Sequence, residues 1–161
     1  MSSLLKLNLG CGRTKMPGFI NCDKAHEVDP DQVVDMEEGL PFKDNSVEYI
    51  CSEHCLEHIN PTKFRFVLSE IARVACDGCI LELKLPFDNM GTRVNFDHYR
   101  TFNWSSFDQL CENVDTNRLY YSQLRLQKIG KIPPKIIRWF YYLFPFLFGL
   151  ETFGLVGRKS R

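Results

Sequence analysis

Short apolar runs, each closed by a glycine or an acidic residue, dominate the first half of the chain. Leu4-Leu5-Lys6-Leu7-Asn8-Leu9 alternates and then stops at Gly10-Cys11-Gly12, the pattern of a strand running into a tight turn. Phe19-Ile20-Asn21-Cys22 predicts a second strand ending at Asp23, and Gln32-Val33-Val34 a third ending at Asp35. Residues 40–46 read as a loop. Residues 47–51 predict a fourth strand that leads straight into Ser52-Glu53-His54-Cys55-Leu56-Glu57-His58-Ile59. There the period changes: Asn60 is placed as an N-cap, Pro61 suits the first helical position, and Phe64, Val67, Leu68, Ile71 and Val74 recur at helical spacing. Gly78 is expected to stop that helix and residues 79–85 to form a fifth strand ending at Pro86. Beyond a long loop through His98, the pattern predicts a helix over 104–113 and a strand over about 118–126. A Pro133-Pro134 break, an aromatic-rich helix and a closing strand near 152–157 follow.

Strands alternating with helices imply an α/β fold with helices on both faces of a mainly parallel sheet, here doubly wound and seven-stranded. With no linker or repeat in view, residues 1–161 read as one domain. The balance of 44% apolar and 25% charged residues is that of an ordinary soluble globular protein. Lysine plus arginine equals aspartate plus glutamate at 20 each, so no net field favours nucleic acid or an anionic membrane. The opening residues lack the pattern of a signal peptide. With an odd number of cysteines, seven, this points to reduced thiols and a cytoplasmic protein. Cys76-Asp77-Gly78-Cys79 spells C-x-x-C, but Cys51 and Cys55 do not supply the second pair of a zinc site. The two cysteines read as small hydrophobes flanking a helix end.

In parallel sheets, ligands bind outside the carboxyl ends of the strands. Here those ends carry Gly10-Cys11-Gly12, Asp23, Asp35 and Ser52-Glu53-His54 in turn. Glycines admit a ligand close to the backbone, an acidic residue ending the second strand can accept both hydrogen bonds of a ribose diol, and Asp35 lies within reach of an adenine amino group. A nucleoside cofactor fits that row.

This arrangement resembles the class I S-adenosylmethionine-dependent methyltransferases, specifically the small type 11-like members. The resemblance rests on LNLGCG, GFINCD, VVDM, LPFKDNSVEYICSEHCLEHI and FxxxLSEIARV, and runs from about Leu5 to Leu85. It implies a Rossmann-like methyltransferase fold with S-adenosyl-L-methionine as cofactor. By the same resemblance Gly10, Cys11 and Gly12 lie along the methionine part, Asp23 binds the ribose, Asp35 and the Met36 backbone hold the adenine, and Ser52 closes over the sulfonium end. Two departures shape the expectation. Lys15 stands where a third glycine would complete G-x-G-x-x-G, and Gly12 and Asp23 are only eleven positions apart, against about twenty in a dinucleotide fold. The first helix should be shortened or missing. That disfavours a pyrophosphate-bearing dinucleotide and is tolerable for a cofactor without phosphate.

His54, Glu57 and His58 spell H-x-x-E-H, the signature of one class of zinc peptidases. That reading needs both histidines on an established helix and a third ligand. His54 instead falls at a strand end and nothing downstream is marked as a ligand, so no metal is expected and a zinc hydrolase is the least favoured alternative. His58 is expected to cap or pack at the helix start. For the transfer itself, a hydroxyl acceptor must lose a proton, and His98 and His54 are the candidate bases on the cofactor side of the sheet, with His98 preferred. Family analogy makes a sugar hydroxyl in glycan or polysaccharide synthesis the favoured acceptor; a non-catalytic cofactor- or partner-binding protein is the other alternative. The aromatic segment 136–148 is too short to span a bilayer and is broken by Pro145. It reads as a helix packed on the sheet or lidding the acceptor pocket, with membrane-surface or dimer contact as the minor readings.

Overall fold

The computed structural model describes residues 4–86, 95–102 and 106, together with the backbone of 126–128 and 152–159. The expected helix at 104–113 (Ser106 apart), the proline break and the aromatic segment 136–148 lie outside the described residues. So does the strand at 118–126, except for Leu126.

Five strands run parallel: β1 (Leu5–Leu9), β2 (Ile20–Asp23), β3 (Gln32–Val33), β4 (Val47–Glu53) and β5 (Ala75–Pro86). Beyond β5, β7 (Thr152–Lys159) pairs antiparallel, and β6 (Leu126–Lys128) pairs antiparallel with β7. The order across the sheet is β3-β2-β1-β4-β5-β7-β6. From β1 the chain steps to β2 and β3 on one side and to β4 and β5 on the other. The ends of β1 and β4 therefore flank the place where the order reverses, the crevice where parallel sheets take their ligands.

The core lies between the sheet and the helix α1 (Phe64–Val74). Leu7 and Leu9 of β1, Val47 and Ile50 of β4, and Leu81, Leu83 and Leu85 of β5 are buried, and α1 turns Val67, Leu68, Ile71, Ala72 and Val74 inward. In β5 the buried Leu81, Leu83 and Leu85 alternate with Glu82 and the exposed Lys84, a period of two that makes the strand easy to read in the sequence.

Three local expectations are corrected. The helix begins at Phe64 rather than Pro61. Asn60 nevertheless acts as a cap: its side-chain oxygen accepts the Thr62 N–H at 2.9 Å, and its carbonyl accepts the Phe64 N–H at 3.0 Å. Gly78 does not end the helix. The chain passes from Val74 directly into β5, and Gly78, at φ +80°, sits in a bulge where the register against β4 slips between Val47↔Ala75 and Tyr49↔Ile80. A glycine in the left-handed region marks either event in a sequence, and only the pairing with β4 tells them apart. The fourth strand continues past Cys51 to Glu53.

Between β1 and β2 the chain makes turns and no helix. A buried polar pair takes the helix's place. The Asn8 side-chain amide donates to Asn21 Oδ1 and to the Thr14 carbonyl, both at 2.9 Å, and Asn21 Oδ1 also accepts the Met16 N–H at 2.8 Å. Asn21 in turn donates to Asp31 from its side chain at 2.6 Å and from its backbone at 2.9 Å. Those bonds hold the Asp31 carboxyl below its usual range. The loop is thus fixed by side chains from the strands on either side of it. Lys15, in the third-glycine position, points away to Asp29 at 3.1 Å.

Candidate active site

A pocket of about 420 Å3 opens at the carboxyl ends of β1 to β4, within the range of small-molecule sites. Gly10 and Gly12 form one wall, Asp23 and Lys24 follow from the end of β2, and Val34 to Glu37 come from the end of β3. His54, Cys55, His58, Ile59 and Asp97 make the far side.

The two glycines do different work. Gly10 has φ +67°, and a Cβ there would fall 2.3 Å from Cys55 Sγ, so the turn packs directly on the second residue past β4. Gly12 has φ +50°, and a Cβ there would meet nothing within 4 Å. Its missing side chain leaves open space on the pocket wall, the room a ligand needs to lie on the backbone.

Asp23 binds the turn as well as facing the pocket. Its Oδ2 accepts the Gly12 N–H at 2.8 Å and its Oδ1 the Ala25 N–H at 2.9 Å. A carboxylate has about four acceptor positions, so each oxygen keeps one for a ligand diol. Asp35 Oδ1 accepts the Glu37 N–H at 2.9 Å, and the side chain is exposed at the mouth. Met36 is buried with its surface on the pocket. An acceptor for a diol, a glycine wall and an apolar floor beside a second acceptor fit a nucleoside.

Cys11 and Ser52, both expected on the cofactor, are not on the pocket wall: Cys11 is 5% and Ser52 1% exposed, turned into the core. Burial, with help from Asp23, pushes the Cys11 thiol up. Burial takes Cys55 to about 12. A thiol as high as that of Cys55 stays protonated at neutral pH and is no thiolate nucleophile.

The H-x-x-E-H segment resolves into a strand end and a 3-10 turn, Leu56–His58. His54 follows β4 directly with φ +49°, a left-handed conformation uncommon for a non-glycine residue, and its N–H donates to the Lys84 carbonyl at 2.9 Å. That turn aims the imidazole at the pocket. Its Nδ1 lies 3.2 Å from Glu57 Oε1, and Glu57 is fully buried. His58 does not cap the helix. Its Nδ1–H donates to the Asp97 carbonyl at 2.9 Å and its ring meets that of His98 edge-on, 4.9 Å between centroids. His98 itself stands behind His58, off the pocket wall.

Residues 95–102 are strapped to this corner. The Tyr99 N–H donates to the Glu57 carbonyl at 2.9 Å, the Phe102 N–H to the Pro86 carbonyl at 3.1 Å, and the Arg100 guanidinium lies 3.6 Å over the Phe64 ring. The structure thus gathers Gly10, Gly12, Asp23, Asp35, Met36 and His54 around one cavity. It adds Lys24, Glu37, Cys55, His58, Ile59 and Asp97, which sequence reasoning had not assigned.

An open parallel sheet of this order, with its pocket at the β1/β4 reversal, defines the class I methyltransferase type of Rossmann-like fold. The methyltransferase domain family's model matches residues 7–83, and the solved structures of similar fold include S-adenosylmethionine-dependent methyltransferases. A SAM dependent methyltransferase from Archaeoglobus fulgidus superposes with a TM-score of 0.64 at 15% identity, covering 98% of this chain and 87% of that one. The 1,6-didemethyltoxoflavin-N1-methyltransferase of Burkholderia thailandensis, solved with S-adenosylhomocysteine, gives 0.61 at 12% identity, covering 98% and 71%. The [4+2]-cyclase SpnF gives 0.62 at 13% identity, covering 99% and 76%. At such identities the likeness is one of fold. No curated protein matches in sequence.

Proposed function

We propose that the protein is an S-adenosylmethionine-dependent methyltransferase that transfers the methyl group to a hydroxyl, with a sugar in glycan or polysaccharide synthesis as the favoured acceptor. The observation that carries the reading is the pocket's row of groups: the open wall at Gly12, the two spare acceptor positions of Asp23, and Asp35 beside buried Met36. When bound, S-adenosylmethionine supplies a sulfonium methyl that an acceptor's lone pair takes in line, the C–S pair returning to sulfur.

Each residue's part follows from its place. Asp23 holds the ribose diol and, by gripping the Gly12 N–H, keeps the glycine wall in register. Asp35 accepts from the adenine amino group while Met36 packs on the ring. Gly10, with Cys11 behind it, sets the turn along the methionine portion. Ser52, buried at the end of β4, is proposed to stand behind the sulfonium end. At the far end, His54 faces the pocket and is the imidazole positioned to accept the hydroxyl proton, with His98 acting through the His58 corner. Alignment of acceptor and methyl supplies much of the remaining rate.

We read the whole chain as one domain with a doubly wound, seven-stranded sheet lacking a full first helix, and as a cytoplasmic protein. Among the described residues no helix is long and apolar enough to cross a membrane. The aromatic segment 136–148 is proposed to cover the acceptor side, with dimer or membrane-surface contact as the lesser readings. A second function, cofactor binding without methyl transfer, is favoured by one observation, the same fold in a cyclase. Incubating the protein with methyl-labelled S-adenosylmethionine and a panel of sugars, phenols and amines separates the two. Label in a hydroxyl product supports the proposal, label only in amines corrects the acceptor, and cofactor binding with no label in any product leaves the binding-protein reading.

A further inference from the structure

Glu57 is completely buried, and among the described residues no lysine or arginine reaches it. One carboxylate oxygen faces His54; the other, Oε2, is buried without any hydrogen bond. A buried carboxylate left in that state is costly, so its environment calls for a positive charge or a donor.

Two imidazoles converge on it with nitrogens equally unspent. His98 Nδ1 is buried and unpartnered. His58 donates Nδ1–H to the Asp97 carbonyl, which leaves the lone pair on Nε2, and that nitrogen takes part in no hydrogen bond among the described residues. A ligand atom from each of Glu57, His58 and His98 lies within 4.8 Å of the others. A backbone carbonyl that fixes the tautomer of a ligating imidazole is the usual outer partner of a metal-bound histidine.

We propose that Glu57, His58 and His98 hold a divalent first-row transition-metal ion behind the His58 wall of the pocket. Two imidazoles and one carboxylate suit zinc, iron or manganese and leave open positions, whereas magnesium prefers oxygen alone. The set differs from the one H-x-x-E-H spells, because Glu57 is a ligand, His54 orients its second oxygen, and the third ligand comes from the strap, forty-odd positions on.

One contact must change. Asn95 Nδ2 lies 3.1 Å from His98 Nε2, while Asn95 Oδ1 accepts the Asp97 N–H at 3.1 Å. Metal on Nδ1 puts the proton of His98 on Nε2, which then needs an acceptor. Turning the Asn95 amide over supplies Oδ1, and the Asp97 N–H it releases goes to water, since both residues are exposed. His58 alone of the three ligands lines the pocket, so the ion's part, beside the function proposed above, is to fix the His58 corner. Metal binding itself does not depend on that function.

The test is calorimetric titration of the full chain with zinc and, separately, with magnesium, beside nitrogen-detected NMR of histidine-labelled protein. The expected result is one zinc site of micromolar or tighter affinity, weakened at least tenfold in both Glu57→Gln and His98→Asn, with little response to magnesium. On adding zinc, His98 should carry its proton on Nε2 and His58 on Nδ1. Thermal melts confirm that the variants fold; should Glu57→Gln not fold, His98→Asn and the tautomer spectra decide. Zinc binding that survives in folded variants belongs to the thiols and overturns the proposal. So does wild-type protein that binds no zinc, or whose His98 keeps its proton on Nδ1 at zinc saturation.

Discussion

At the residue scale, Gly10 and Gly12 look alike in the sequence and should behave differently. Gly10→Ala drives a methyl group into Cys55 as well as straining a left-handed turn, and should cost about 2–4 kcal/mol of stability. Gly12→Ala meets no neighbour and should cost only the backbone strain, about 1–2 kcal/mol. Its methyl group enters the space assigned to the cofactor, so Gly12→Ala should lose S-adenosylmethionine affinity out of proportion to its stability. Thermal melts and cofactor titrations of the two variants check this, and equal stabilities would contradict the packing at Cys55. The glycine turn and both carboxylates were legible because their chemistry shows in residue type and spacing. Cys55, Ile59, His58 and Asp97 were not. Their part comes from a turn after β4 and from a strap nearly forty residues downstream, and no local pattern announces either.

At the element scale, α1 is fastened to the loop before β4 by Arg73. Its Nε and Nη2 grip both oxygens of Glu70 at 2.7 Å, while Nη1 and Nη2 reach the carbonyls of Phe42 and Leu40 and the Asp44 carboxylate. The Arg73 hydrogen bonds, with help from the Leu40 N–H, hold the Glu70 carboxyl below its ordinary 4.5. A carboxyl lowered by folding stabilises the native state above its unfolded value, and the contribution disappears as pH falls through the folded one. Glu70→Gln should therefore be less stable than wild type at neutral pH, with the gap closing as pH drops below about 4.5. Urea midpoints across that range test it, and a gap independent of pH would contradict the assignment.

The same scale accounts for the loop that replaces the first helix. Asn21→Ala removes the side-chain bonds it accepts from Asn8 and Met16 and the one it donates to Asp31, leaving buried Asn8 with only the Thr14 carbonyl, so a loss of about 2–4 kcal/mol is expected in denaturant melts. The shortened gap fits the turns between β1 and β2, but nothing in it announces what holds them, because buried asparagines in a strand read as ordinary polar positions. Cys76 and Cys79 lie in or beside the bulge of β5, with Cys79 in the core. Replacing both by alanine should cost about 1–3 kcal/mol through packing and leave cofactor affinity unchanged. A cofactor affinity that fell with the pair would show that the thiols reach the site.

For the whole molecule, the topology carries the functional reading: a parallel sheet whose order reverses between β1 and β4, and a pocket at that reversal built from four strand ends. The strands themselves were legible in the short gaps and apolar runs of the first 86 residues, where each strand end carries its own chemical group; their order across the sheet was not. The most direct test of the account is calorimetric titration with S-adenosylhomocysteine of wild-type protein and of Asp23→Ala. A single site of micromolar affinity, weakened at least tenfold in a folded variant, is predicted from loss of a charge-assisted pair worth about 1.5–3 kcal/mol. Absence of binding to the wild type, or undiminished binding by the variant, would contradict it.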